Sequence, residues 1–170
     1  MIKALTIAGS DCSGGAGIQA DLKTFTVYGV YGMSVITAIT AQNTTGVFTV
    51  ENISEKMVEA QMDAVFTDIV PDAVKIGMVS SEAIIHAIAK KLKEYAPKNI
   101  VLDPVMVATS GDALFDRTAQ SVLINELMPL ADLITPNISE AEILSGIPIK
   151  SKNDMIRAAR DIAGYYKGAI

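Results

Sequence analysis

Residues 4–21 read Ala4-Leu5-Thr6-Ile7-Ala8-Gly9-Ser10-Asp11-Cys12-Ser13-Gly14-Gly15-Ala16-Gly17-Ile18-Gln19-Ala20-Asp21. A short apolar strand runs into four glycines and then into a helix. The helix repeat follows at Ile18, Leu22 and Phe25, spaced 4 and 3, which gives one apolar face. Strand one is expected over Lys3–Ala8 and the helix from about Gly15, with Ser13 as N-cap and Gly29 as the left-handed C-cap. A strand leaving through a glycine-rich turn into a helix is the opening of a βαβ unit, and in an open parallel sheet that turn faces the ligand crevice.

The next strand, Met33–Ala41, is apolar on both alternations and stops at Gln42-Asn43-Thr44-Thr45-Gly46. A strand covered on both faces explains this pattern. It also explains why Thr24–Val50 holds no charge, since its many Ser, Thr, Asn, Gln and Gly residues suit no lipid span. Working outward, Val47–Val50 is expected as a short strand. Ser54 caps a helix whose stripe is Val58, Met62, Val65 and Ile69. A strand over Ala73–Gly77 follows, then a helix capped by Ser80 or Ser81. Its Ile84, Ile85, Ile88, Leu92 and Tyr95 face inward, while Lys90, Lys91, Lys93 and Glu94 face water. Pro97 ends that helix, and Asn99–Leu102 forms a strand ending at Asp103-Pro104. Val105–Phe115 is expected as a mobile loop containing Ser110-Gly111-Asp112. A helix over about Arg117–Leu130, a strand over Asp132–Thr135, a short helix Ser139–Leu144 and a helix over about Asn153–Lys167 complete the series. No Asn-Gly hairpin signal interrupts the alternation, so the fold class is α/β with a mainly parallel sheet. No linker or repeat divides 1–170, which reads as one domain portion. Gly168 looks like a helix cap, and Ala169-Ile170 looks like the start of another strand, so a truncated polypeptide is expected.

The 170 residues carry 14 basic and 19 acidic side chains, a formal charge of −5 that argues against a nucleic-acid partner. One cysteine, Cys12, and one histidine, His86, exclude an intrachain disulfide and a zinc cluster, and fit a reducing compartment. The apolar stretch before Gly9 is too short for a secretory signal. His86 sits mid-helix with no partner in reach by sequence, and it reads as structural.

Gly9 and Gly14 have the P-loop spacing, but Gly15-Ala16 stands where that loop needs its lysine and hydroxyl. The GxGxxG spacing is absent too. The turn is therefore either a backbone cradle for a ligand or a device that packs the helix on the sheet. Asp11 is placed to bond its own backbone. Asp21 is either solvent-facing or an acceptor for a substrate hydroxyl. Gln42 ends an uncharged strand, and its amide offers a donor and an acceptor, which suits a ring with an amino group beside a ring nitrogen. Met78 and Val105 follow strand ends and are core residues or apolar walls for a flat ring. Asp103, and Asn137 with Glu140, follow neighbouring strand ends. They are candidates for the water shell of a phosphate-bound Mg²⁺, or in the case of Glu140 for stabilising a helix start.

The run Ala4–Asp11 with Ser13–Phe25 closely resembles the hydroxymethylpyrimidine and phosphomethylpyrimidine kinases of thiamine biosynthesis, in the ribokinase-like superfamily. The resemblance continues through Tyr31-Gly32, Val35–Ala38, Ala41–Thr44, Lys75–Met78, Leu102–Met106 and Ile134–Asn137. It implies a three-layer α/β/α fold and ATP- and Mg²⁺-dependent phosphorylation of 4-amino-5-hydroxymethyl-2-methylpyrimidine and of its monophosphate. It also implies a cytoplasmic homodimer. Gln42, Asp21, Gly9, Ala16, Met78 and Val105 are then expected in the pyrimidine pocket, and Asp103, Asn137 and Glu140 on the phosphate and metal side, with no direct metal ligand. Relatives acting on pyridoxine or pyridoxal share much of the turn, and a ligand-binding remnant is a further alternative. The family's Gly-Thr-Gly-Cys segment, whose amides form an anion hole and whose region supplies the catalytic group, is absent from 1–170. The catalytic residues are thus unknown, and the isolated chain is expected to have little kinase activity.

Overall fold

The computed structural model describes residues 1–106 and 117–170; the predicted loop Val105–Phe115, and with it Ser110-Gly111-Asp112, falls largely outside them. Strands β1 (Lys3–Asp11), β2 (Tyr31–Asn43), β3 (Gly46–Asn52), β4 (Ala73–Ile76), β5 (Ile100–Leu102) and β6 (Leu133–Ile134) form one sheet in the order β3-β2-β1-β4-β5-β6. Every pairing is parallel except β2–β3. Beyond β6, Ala169 forms a parallel bridge to Leu133, so the strand start expected at Ala169 is present. Gly168 is not a helix cap, because the last helix closes earlier, at Gly164.

The alternation of β1 decides which helix covers which face. Leu5 and Ile7 point into the main core with Val74 and Ile76 of β4. That core is closed by helices α2 (Glu55–Phe66) and α3 (Glu82–Tyr95), through Val58, Met62, Ile84, Ile85, Ile88 and Leu92. Thr6, one residue out of phase, points to the other face and bonds Asp21 of helix α1 (Gly17–Val27). Helices thus cover both faces, and burial of the two faces drives assembly. A helical run follows from Arg117–Val122 (α4), widening into a π turn over Leu123–Leu127 and tightening to 3₁₀ over Met128–Leu130. Helices α5 (Ile138–Ser145) and α6 (Lys152–Ala163) pack on each other. No described helix is long and apolar enough to cross a membrane.

Three local expectations are corrected. Helix α1 starts at Gly17 with Ala16 as N-cap, because Ser13 is engaged by Asp11 instead. Lys91 does not face water. It is buried at 7% exposure, held by Asp63 at 2.7 Å and Glu94 at 2.9 Å, its Nζ 5.6 Å from the centre of the Tyr95 ring, which stacks on Phe66. His86 has partners: Nδ1 is 2.9 Å from Glu126 and Nε2 3.5 Å from Glu82, one turn back on its own helix.

The β2–β3 hairpin is the departure from the parallel pattern. Asn43 pairs with Gly46 across Thr44-Thr45, and Asn43 Oδ1 accepts from Thr45 N–H at 2.8 Å and from its hydroxyl at 2.6 Å. Neither threonine has positive φ, so this is not one of the mirror-image turns that Asn-Gly signals. A side-chain bond closes the turn, and a register shift between Ala41 and Gln42 absorbs the twist.

Candidate functional site

Connections from β1 lead to β2 on one side, while β4 lies on its other side and leads on to β5. The carboxyl ends of β1 and β4 therefore part at a topological switch point, where a crevice opens. A cavity of about 310 Å³ lies there. It is lined by Ala8–Asp11 at the end of β1, Ala16, Gly17, Ala20 and Asp21 at the start of α1, and Thr40 and Gln42 at the end of β2. Val47 and Val50 come from β3, and Lys75, Met78, Asp103 and Val105 from the β4 and β5 side. Gly9, Ala16, Asp21, Gln42, Met78, Val105 and Asp103 are thus brought into one space.

Asp11 builds the turn that forms one wall. Its Oδ1 accepts from Ser13 N–H and the Ser13 hydroxyl, both at 2.8 Å; its Oδ2 accepts from Gly15 N–H at 2.9 Å and Ala16 N–H at 2.8 Å. Asp11 is 3% exposed. Burial alone pushes its carboxyl up, but these four donors outweigh burial and hold it below the ordinary 3.8. The turn is therefore wound around a carboxylate of the chain itself. Gly17 completes it at φ +57°, where an added Cβ meets the Gly9 carbonyl. At Gly9 an added Cβ meets the end of the Met78 side chain, so this glycine lets Met78 lie over the end of β1.

To the expected Asp21 and Asp103 the structure adds Lys75. In the β1–β4 register Thr6 lies beside Lys75, both facing α1. Asp21 Oδ2 accepts from the Thr6 hydroxyl at 2.6 Å and from Lys75 Nζ at 3.1 Å. Lys75 Nζ is also 4.0 Å from Asp103 Oδ2. Asp21 is neither free in solvent nor a lone acceptor; it is one corner of a Lys-bridged pair of carboxylates. Burial raises the pKa of Asp103, Lys75 counteracts the rise, and Asp21 adds to it. The signal for Lys75 was present: it is the one cation in the strand Ala73–Ile76. Gly77 matters for it, since a Cβ there would meet Lys75 Nζ and the Ala8 methyl group.

Gln42 is half-buried at the cavity wall. Its backbone is clipped to the turn by Cys12, whose thiol donates to Gln42 O at 3.1 Å and accepts from Gln42 N–H at 3.4 Å. Asn137 and Glu140 lie elsewhere. They form a capping box on α5: Asn137 Oδ1 accepts from Glu140 N–H at 3.0 Å, and Glu140 Oε2 from Asn137 N–H at 2.9 Å. Glu140 Oε1 accepts from Met106 N–H at 3.4 Å. Glu140 is 2% exposed, and burial raises its pKa against those backbone donors. Among the described residues, no group of three His, Cys, Asp or Glu side chains gathers as metal ligands.

The sequence model of a family described as phosphomethylpyrimidine kinase matches residues 11–170. A hydroxymethylpyrimidine/phosphomethylpyrimidine kinase from Rhizobium meliloti is 59% identical over 160 residues, 94% of this chain and 60% of that protein. The Escherichia coli protein of the same name is 48% identical over 99% of this chain and 64% of its own length. The chain thus spans about 60% of the length of these curated relatives. Among solved structures, a phosphomethylpyrimidine kinase from Clostridium difficile is 58% identical, with a TM-score of 0.92 over 98% of this chain and 72% of that one. An ADP complex of Bacillus subtilis pyridoxal kinase is 44% identical, with a TM-score of 0.86 over 99% of this chain and 62% of that one. The mainly parallel, helix-covered sheet implied by the resemblance is the fold these structures share.

Proposed function

The chain belongs to the phosphomethylpyrimidine kinase family, and on that premise we propose that it takes part in ATP-dependent phosphorylation of 4-amino-5-hydroxymethyl-2-methylpyrimidine and its monophosphate. The proposed setting is thiamine biosynthesis, as the name of a Geobacter sulfurreducens relative, a thiamine biosynthesis bifunctional protein, indicates. In this reading 1–170 contributes the pyrimidine side of the kinase domain. The carrying observation is the placement of Gln42 in the same cavity as Gly9, Ala16, Asp21, Met78 and Val105. An amide among apolar walls fits a flat ring with a polar edge. Val47 and Val50 cover that ring from the hairpin, and Met78 and Val105 from the β4 and β5 side.

The substrate hydroxymethyl group is placed toward Asp21, Lys75 and Asp103. Lys75 there offsets two carboxylates and leaves the Asp103 carboxylate able to accept a proton or a water. Mg²⁺ on the ATP phosphates would supply charge neutralisation at the transferring group. Asp103 fits as its water-mediated partner, because among the described residues its one ion-pair contact is the 4.0 Å approach of Lys75. Glu140 fits less well, since both its oxygens already accept backbone N–H groups. A homodimer and a cytoplasmic location belong to the same reading, on family grounds.

Pyridoxal is the second reading, favoured by the likeness to solved pyridoxal kinases, including one from Staphylococcus aureus with bound pyridoxal at 37% identity. Calorimetry separates the two. The chain is expected to bind the aminopyrimidine more tightly than pyridoxal, and Gln42→Met to lose about tenfold or more in pyrimidine affinity with its Tm kept. Tighter binding of pyridoxal, with Gln42→Met neutral, overturns the assignment.

A further inference from the structure

The hydrogen bonds behind Gln42 decide which end of its amide enters the cavity. Thr40 is buried at 4% exposure. Its hydroxyl oxygen lies 2.7 Å from the Ser10 carbonyl oxygen and 2.8 Å from Gln42 Oε1. Oxygens that close need a proton between them, and a hydroxyl has one proton. The Ser10 carbonyl can only accept, so the proton belongs there. A half-turn of the Gln42 amide leaves its shape unchanged and puts Nε2 against the Thr40 lone pair. Both contacts are then satisfied. The same logic fixes Gln19 without a half-turn: the Asp11 N–H can only donate, to Gln19 Oε1 at 2.8 Å, so Gln19 Nε2 donates to the Ser10 hydroxyl at 2.8 Å.

We propose that Thr40 is a positioning residue that holds Gln42 with Nε2 toward the strand and Oε1 toward the cavity, so that the site selects a ring carrying an exocyclic amino donor. The inference deepens the proposed pyrimidine reading and rests on it for the ligand, but the amide orientation is a property of the chain alone. Gln42 then serves the amino group only, and the neighbouring ring nitrogen is left to another partner. A ring without the amino group loses its hydrogen bond and leaves Oε1 unpaired, which discriminates more strongly than a missing apolar contact.

The test has two arms. In the ligand-free chain, nitrogen-15 spectra assign the Gln42 side-chain NH₂ by its loss in Gln42→Met. Slowed exchange of one amide proton is expected in the native chain and in Thr40→Ser, and free exchange in Thr40→Val. Free exchange in the native chain overturns the proposal, whether or not Thr40→Val folds. In the second arm, calorimetry compares the aminopyrimidine with its analogue bearing hydrogen in place of the amino group. The native chain and Thr40→Ser are expected to prefer the amino compound by roughly tenfold, and Thr40→Val to lose that preference. An unchanged preference in folded Thr40→Val overturns the proposal. Slowed exchange together with tighter binding of pyridoxal keeps Thr40 as the positioning residue and removes the pyrimidine reading.

Discussion

Replacing Lys75 by Met keeps an unbranched stem one atom shorter and removes the charge from between Asp21 and Asp103. At an effective dielectric constant of about 20, a unit pair at 3.1 Å gains roughly 5 kcal/mol and a pair at 4.0 Å roughly 4 kcal/mol, before any desolvation. Most of this is offset by the water that Lys75 gives up and by the ordering of its four-carbon stem. The side chains are 26%, 19% and 37% exposed, which places the cluster between a surface pair and a buried one. A net loss of about 1–3 kcal/mol at pH 7 follows, and a Tm lower by roughly 2–12 °C for a chain of this size. The deficit depends on pH with a definite sign. Burial already makes the folded state hold the Asp103 proton more tightly than the unfolded chain, and Lys75 opposes that. Without Lys75 the folded state favours the protonated form further. The folded variant therefore gains on the native protein as pH falls toward 3.8, where the unfolded carboxyl also takes its proton. Urea unfolding of both proteins between pH 4 and pH 7 measures this directly. Equal stability at pH 7, or a deficit that stays constant across that range, refutes the assignment of Lys75 as the counter-charge of the cavity.

Two further outcomes follow from the turn. Asp11→Asn keeps the shape but puts an NH₂ donor where one oxygen accepts from two donors, so a loss of about 1–3 kcal/mol is expected at pH 6. Because the native Asp11 pKa lies below 3.8, its contribution is complete above that value and is lost as pH falls through the folded value, so the urea midpoints of variant and native chain converge at low pH. Gly17→Ala meets both a positive φ and the Gly9 carbonyl; a loss above about 2 kcal/mol is expected in thermal melts, against about 1 kcal/mol for Gly29→Ala, where φ is +67° but nothing lies within 4 Å.

The sheet, its helices and most caps were legible because each is local: Ser54 and Ser81 cap their helices, Val58 and Met62 fall on one stripe, and Ile84, Ile85, Ile88 and Leu92 on another. That residues of the turn and of the strand ends line one cavity was legible for a topological reason. In a parallel sheet all carboxyl ends lie on one edge, and the order β2-β1-β4-β5 makes Gly9, Gln42, Met78, Asp103 and Val105 neighbours there. The β2–β3 hairpin was not legible, because its turn is closed by the Asn43 side chain rather than by a glycine at positive φ. Ser13 was misread as a cap because Asp11, two residues earlier, offers a charged acceptor with which a neutral cap does not compete.

Lys75 shows where reading one element at a time stops. On its own strand it is a lone charge among apolar residues, which gives no reason for its presence. The reason lies in register: Thr6 sits beside it on β1, Asp21 reaches both from α1, and Asp103 follows the paired strand β5. None of these is within fifteen residues of Lys75 in sequence, so no periodicity links them. What the sequence does contain is the cost, since a lysine in a strand that is otherwise built for burial must have a carboxylate waiting for it. Two carboxylates wait here, and they line the same cavity as Gln42. Gln42 stands on β2 and Lys75 on β4, on opposite sides of β1, so the neutral amide and the bridged ion cluster face the cavity from different sides. A ligand that matches it has an uncharged hydrogen-bonding edge on one side of a ring and its reactive polar substituent on the opposite side.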